Sequence, residues 1–184
     1  CSDKTGTLTE NTLSVSEIFS NNESEILTYA SLAGDLSGSK RTANNSFDLA
    51  IFKKIGRFEL AKIKKIKRLS ENPFNPVRRR NSVLVQIDSK RYIIVRGAQE
   101  NILPYVANIS KEEEQNILRW ILDQGKKGRR IITVARKEFN EDDYDVEDEE
   151  SNLELVGLIS FSDPIKRSTT SAVEKAQELG VNIK

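Results

Sequence analysis

At 184 residues, with 37% hydrophobic and 31% charged residues, the chain is long enough to bury a core and form one domain, or one domain and a piece of another. Lysine and arginine total 29 against 28 acidic residues, so bulk charge points to no class of partner. One cysteine excludes an intrachain disulfide framework and suits a reducing compartment, and with no histidine there is no plausible zinc site. No apolar run approaches the roughly 20 residues that span a bilayer, and the start does not read as a signal peptide. The absence of methionine, even at position 1, predicts an internal excerpt of a longer protein.

From Asn22, "NESEILTYASLAG" places Ile26, Leu27, Ala30 and Ala33 at helical spacing and stops at Gly34. "SFDLAIFKKIG" predicts a second helix, capped by Ser46, with Leu49, Phe52 and Ile55 near one face and an end at Gly56. "KIKKIKRLS" alternates from Ile63, and "NSVLVQIDSKRYIIVRG" predicts an antiparallel hairpin turning at Asp88-Ser89-Lys90. "SKEEEQNILRWILDQGKKG" is the strongest helix signal: Ser110 and Glu113 have capping-box spacing, and Ile117, Leu118, Ile121 and Leu122 stack. Strands follow at "RRIITVARKEF" and "LELVGLISF", around the acidic run "NEDDYDVEDEE", which reads as a solvated loop. After Pro164 a helix from about Ser168 turns Ala172, Val173, Ala176 and Leu179 inward and is capped by Gly180, and "VNIK" starts a further strand of an α/β unit.

The chain opens with "CSDKTGTLT". A carboxylate can attack a phosphoryl group and form an acyl phosphate when a metal ion and positioned donors offset the repulsion between two anions. Asp3 is the candidate, with backbone N–H groups and the Thr5 and Thr7 hydroxyls available to phosphate oxygens. Aspartate-nucleophile phosphatases usually carry a second acid two residues on; Thr5 stands there, so a phosphoenzyme would be long-lived.

The run DKTGTLT resembles the phosphorylation motif of P-type ATPases, the cation pumps that pass through an aspartyl phosphate. The resemblance implies that Asp3 is phosphorylated, that Asp3 and the Thr5 carbonyl help ligate Mg²⁺, and that Thr5 also faces the nucleotide, ATP. In such pumps a nucleotide-binding domain is inserted after the DKTGT strand and the chain returns through a "DPP"-like hinge; here "DKTGTLTENTLSV" and "SDPIKRS" stand in that order with residues 16–161 between them. Four further stretches extend the likeness. "NPFNPVRRRNSVLV" resembles the segment whose aromatic ring stacks on adenine, which implies Phe74 as the platform and Arg79 near the phosphates. "VRGAQE" resembles "KGAPE", placing Arg96 at the pocket lysine and Gly97 where a ligand approaches closely, with Gln99 in place of proline. "GRRIITVAR" selects Arg130 as a phosphate contact, and "NNSFDLAIF" selects Asp48 as the acid that accepts from the adenine amino group.

The implied fold is α+β, an antiparallel sheet flanked by helices over residues 14–160, inserted in a truncated α/β haloacid-dehalogenase-like domain represented by residues 1–13 and 161–184. The implied partners are the membrane and actuator domains of the same pump, on the cytoplasmic side of a membrane, the excerpt itself being a monomer that does not engage nucleic acid. "CSDKTGTLT", "PFNPV" and "LGVNIK" look most like the proton-pumping branch, and the calcium-pump branch shares the first. The excerpt is expected to bind ATP but not to hydrolyse it alone. Two rival readings are a soluble aspartate-nucleophile phosphatase with a cap domain, against which Thr5 argues, and a basic module that uses Lys62 to Arg68, Arg78 to Arg80 and Lys126 to Arg130 on nucleic acid.

Overall fold

Alternating apolar residues build the sheet, and the computed structural model describes it through residues 9–10, 12–34, 45–140 and 149–180. The readings placed on Asp3, Thr5, Thr7, "VNIK" and the acidic stretch 141–148 lie outside the described residues. Strands β1 (Ser14–Phe19), β2 (Lys67–Asn75), β3 (Arg80–Ile87), β4 (Lys90–Gly97), β5 (Arg130–Glu138) and β6 (Glu154–Ser162) form one antiparallel sheet in the order β1-β6-β5-β4-β3-β2. The expected hairpin is β3–β4, with Ile87 paired to Lys90 and Asp88 at a positive φ of 54° in the turn.

Helices cover both faces: α1 (Glu23–Leu32), α2 (Ser46–Ile55) and α3 (Arg57–Ile63) on one, α4 (Gln99–Ile102) and α5 (Lys111–Lys126) on the other, with α6 (Arg167–Glu178) following β6. On the first face Ile26, Leu32 and Ile51 pack with Val83, Val85, Ile94, Val134 and Ile159, all buried. Each such side chain contributes about 1.5–3 kcal/mol on leaving water. On the second, Leu84, Ile93, Val95 and Ala135 meet Ile102, Phe139 and Leu153. The alternation along β3, β4 and β5 therefore feeds two cores, as a sheet covered on both sides requires.

The capping box of α5 forms as expected: the Ser110 hydroxyl accepts from the Glu113 N–H at 3.2 Å, and the Glu113 carboxylate from the Ser110 N–H at 3.2 Å. Several expectations are corrected. The cap of α2 is Asn45, whose Oδ1 accepts from Phe47 N at 3.0 Å, not Ser46, and Ile51 rather than Leu49 is the large apolar residue that helix buries. The lysine–isoleucine alternation from Ile63 misled: Ile63 ends helix α3 and β2 begins only at Lys67. Strand β1, for which the sequence carried no separate signal, precedes α1 and α2 and joins the same sheet; its irregular register between Val15 and Glu17 hides the period of two. On α5 the inward residues are Ile117 and Gln124, while Leu118 and Leu122 are exposed, because the helix rests on the sheet through a stripe narrower than its apolar content. Leu179, expected inward on α6, is 82% exposed.

Two clusters hold the β1–β6 edge. Thr9 donates its hydroxyl to Asp163 at 2.6 Å, Thr12 N–H donates to the same carboxylate at 3.2 Å, and Glu10 N–H donates to Pro164 O at 2.9 Å, so the first and last crossings of the chain lie side by side. Glu17 on β1 accepts from Arg129, and from Lys127 at 3.2 Å. The Arg129 guanidinium first, and the Lys127 ammonium next, hold its carboxyl down to about 2, so it stays ionised where carboxylates ordinarily titrate. Among the described residues no helix is long and apolar enough to cross a membrane.

Candidate functional site

Asp48 lies in the first turn of α2, where the positive end of the helix favours a carboxylate. Arg96 is the penultimate residue of β4, on the sheet face that carries Ile94 and Val134. Folding brings the two together: Arg96 Nη1 donates to Asp48 Oδ1 at 2.5 Å and to Ala30 O at 2.9 Å. The pair is buried, Asp48 being 1% and Arg96 5% exposed. Burial of an ion pair is tolerated when both charges are matched and further hydrogen bonds are made, as the Ala30 carbonyl does here.

Gly34 presses against this pair. A Cβ there would lie 2.8 Å from Asp48 Oδ1 and 3.2 Å from Arg96 Nη1, so this glycine leaves space for the carboxylate as well as ending the apolar run of α1. Gly34→Ala should force the pair to shift and cost about 1–3 kcal/mol, as overpacking does. For a domain of this size that is a thermal midpoint roughly 2–12 °C lower. A midpoint unchanged by calorimetry would show that the pair is not held against Gly34.

Above the pair opens a cavity of about 400 Å³, with Phe74, Asp48, Arg96, Gly34, Arg68 and Asn81 among its lining residues. Phe74 is 61% exposed although large and apolar. It stands on β2, the sheet edge, where the register shifts between Asn72 and Asn75 and Pro73 needs no partner. Asn75 Oδ1 then turns the chain by accepting from Val77 N at 2.8 Å and Arg78 N at 3.3 Å. Arg68 donates to Leu32 O at 2.5 Å and to Gly34 O, and Asn81 donates to Ala33 O at 2.7 Å, fastening the end of α1 over the cavity. An open aromatic face beside a buried donor–acceptor pair and the three amides of Asn45, Asn72 and Asn81 suits a flat ring bearing polar edges.

Residues 19–168 match the family model of the P-type ATPase cytoplasmic domain N. The chain belongs to this family. Similar proteins include a "Probable cation-transporting P-type ATPase" of Mycoplasma genitalium, 32% identical over 94% of this chain and 21% of that protein. A plasma membrane ATPase of Zygosaccharomyces rouxii is 29% identical over all of this chain and 20% of its own length, and Calcium-transporting ATPase 1 of Bacillus cereus is 24% identical over 98% and 23%. The chain thus spans about a fifth of the length of the curated relatives it matches.

Within this N domain the remaining residues singled out from sequence lie apart from the cavity lining. Arg79, at a positive φ of 49° in the β2–β3 turn, is exposed and pairs with Glu100 at 3.3 Å. Gly97 gives room to backbone: a Cβ there would meet Arg79 O at 2.4 Å, and Ala98 N–H donates to that carbonyl at 3.1 Å. Arg130 starts β5, exposed, on the same sheet face as Arg96 but four residues before Val134, the residue that pairs with Arg96. Gly34, Arg68 and Asn81 were missed as site residues. Gly34 looked like a helix stop and Arg68 like part of a basic run, and only the packing of α1 and α2 over the sheet shows what they touch. Among the described residues no group of three or more His, Cys, Asp or Glu could hold a metal ion.

Proposed function

We propose that this chain is the ATP-binding portion of a P-type pump that moves a cation across a membrane, with adenine stacked on Phe74 and its polar edge read by Asp48 and Arg96. The observation that carries the reading is the cavity in which an exposed aromatic ring stands beside a buried ion pair drawn from distant parts of the sequence. Arg79, Gly97 and Arg130 belong to the same proposal as residues on the phosphate side; the exposed guanidinium groups of Arg79 and Arg130 can move toward an anion without leaving water.

Asp3 as phosphoryl acceptor, and Asp3 with Thr5 as ligands of Mg²⁺, rest on the DKTGT motif alone. The same reading includes insertion in a haloacid-dehalogenase-like domain, a position on the cytoplasmic side, and membrane and actuator domains of the same pump as partners. The relatives' names speak of cations in general, of a plasma membrane and of calcium, so the proposal extends to a cation and no further.

The test is an amide chemical-shift titration of the 184-residue chain with a non-hydrolysable ATP analogue. The largest shifts are expected at Gly34, Asp48, Phe74, Asn81 and Arg96. Shifts confined to other surfaces, or none at millimolar analogue, would overturn the reading.

A further inference from the structure

Glu150 closes the acidic run that reads as solvated, yet its side chain is 1% exposed. Its carboxylate accepts from Arg78 Nη1 at 3.2 and 3.3 Å, from Arg80 Nε at 2.5 Å and from the Ser82 hydroxyl at 2.7 Å. Arg80 and Ser82 alternate along β3 and so reach one face of the sheet, the face on which Leu84 also packs, while Arg78 joins them from the turn before the strand. The residues between them serve the opposite face: Asn81 bonds Ala33 O and lines the cavity, and Val83 joins the core beneath α1 and α2. Glu150 is therefore attached to the reverse side of the strand that floors the cavity.

That strand is also the anchor of the aromatic platform. Asn72 pairs with Ser82 and Asn75 with Arg80, so the segment carrying Phe74 is registered on two of the residues that Glu150 holds. Arg80 is further fixed by the Asn101 carbonyl at 3.2 Å and by stacking 4.6 Å from the Tyr105 ring. Arg78, Arg79 and Arg80 are consecutive, and one buried carboxylate offsets two of these three charges at close range. Without it, like charges repel across a tight turn and the turn spreads.

We propose that Glu150 is a positioning residue of the nucleotide site: by holding Arg78, Arg80 and Ser82 from the reverse face of the sheet, it sets the place of the Phe74 ring on the cavity side and of the turn that carries Arg79. This rests on the nucleotide reading above.

The test is a double-mutant cycle on binding of a non-hydrolysable ATP analogue by the 184-residue chain, with amide spectra confirming that each variant is folded. Glu150→Gln should weaken binding about tenfold in the parent sequence and less than about twofold in Phe74→Ala/Arg79→Ala, the non-additivity of residues acting through one network. A role in stability alone lowers the thermal midpoint and leaves the two effects additive; additive effects, or unchanged affinity in Glu150→Gln, overturn the proposal. If Glu150→Gln does not fold, Arg78→Gln leaves the carboxylate satisfied by Arg80 and Ser82; loss of affinity that vanishes in the Phe74→Ala/Arg79→Ala background supports the proposal, and unchanged affinity overturns it. If the parent chain binds no analogue, the nucleotide reading falls and this proposal with it. Binding by the parent with no response to either variant sinks this proposal alone.

Discussion

Phe74→Ala is expected to leave the fold intact and to weaken binding of ATP by about 1–3 kcal/mol, roughly 5- to 150-fold, the range found when an aromatic platform for a base is removed. The fold should survive because the ring is 61% exposed and stands on an edge strand beside an irregular register, so its removal opens no core cavity. Affinity should fall because, among the described residues that line the cavity, the ring is the one large aromatic surface. Isothermal titration with an ATP analogue, beside a thermal melt, separates the two effects. A folded Phe74→Ala variant with parental affinity would remove Phe74 from the site, and a lost midpoint would show that the ring is structural.

Breaking the Asp48–Arg96 pair should have the largest effect on stability. Asp48→Ala strands a guanidinium that is 95% buried, and removal of one partner from a buried pair costs about 3–5 kcal/mol. In a domain of this size the thermal midpoint should drop by roughly 6–20 °C. Replacing both partners distinguishes stability from recognition. Asp48→Leu with Arg96→Met substitutes apolar volume for charge and should recover most of the midpoint, since such replacements of buried ion pairs are often neutral or better. The double variant should still fail to bind the nucleotide, having lost the polar edge of the cavity. Parental affinity in the stable double variant would show that the pair is a core contact with no part in recognition.

The residues differ in how far their roles could be read along the chain. The β3–β4 hairpin and the Ser110–Glu113 box were legible because each depends on residues within a few positions of one another. Helix α3 was not, because seven residues offer less than two turns of periodicity and the lysine–isoleucine alternation after it mimics a strand. Leu118 and Leu122 show a related limit: helical spacing says which residues share a face, not which face meets the sheet. Arg96 at the end of a strand reads equally well as a solvent-facing charge, and its burial depends on α2 arriving over it.

By itself the sequence determined the β3–β4 hairpin, the Ser110–Glu113 capping box and the DKTGT motif, all of which are encoded by near neighbours, and its resemblance to a family nominated Asp48, Phe74 and Arg96 as candidates. Only the tertiary structure decided that Asp48 and Arg96 neutralise each other, that Gly34 makes room for them, and that Glu150 is buried under the β2–β3 turn rather than solvated in its acidic run. The physical reason is the range of the interactions. Propensity and capping act over one turn of chain, whereas the partner of a buried charge is chosen by sheet register and by the helix packed across it, and no local pattern carries that choice.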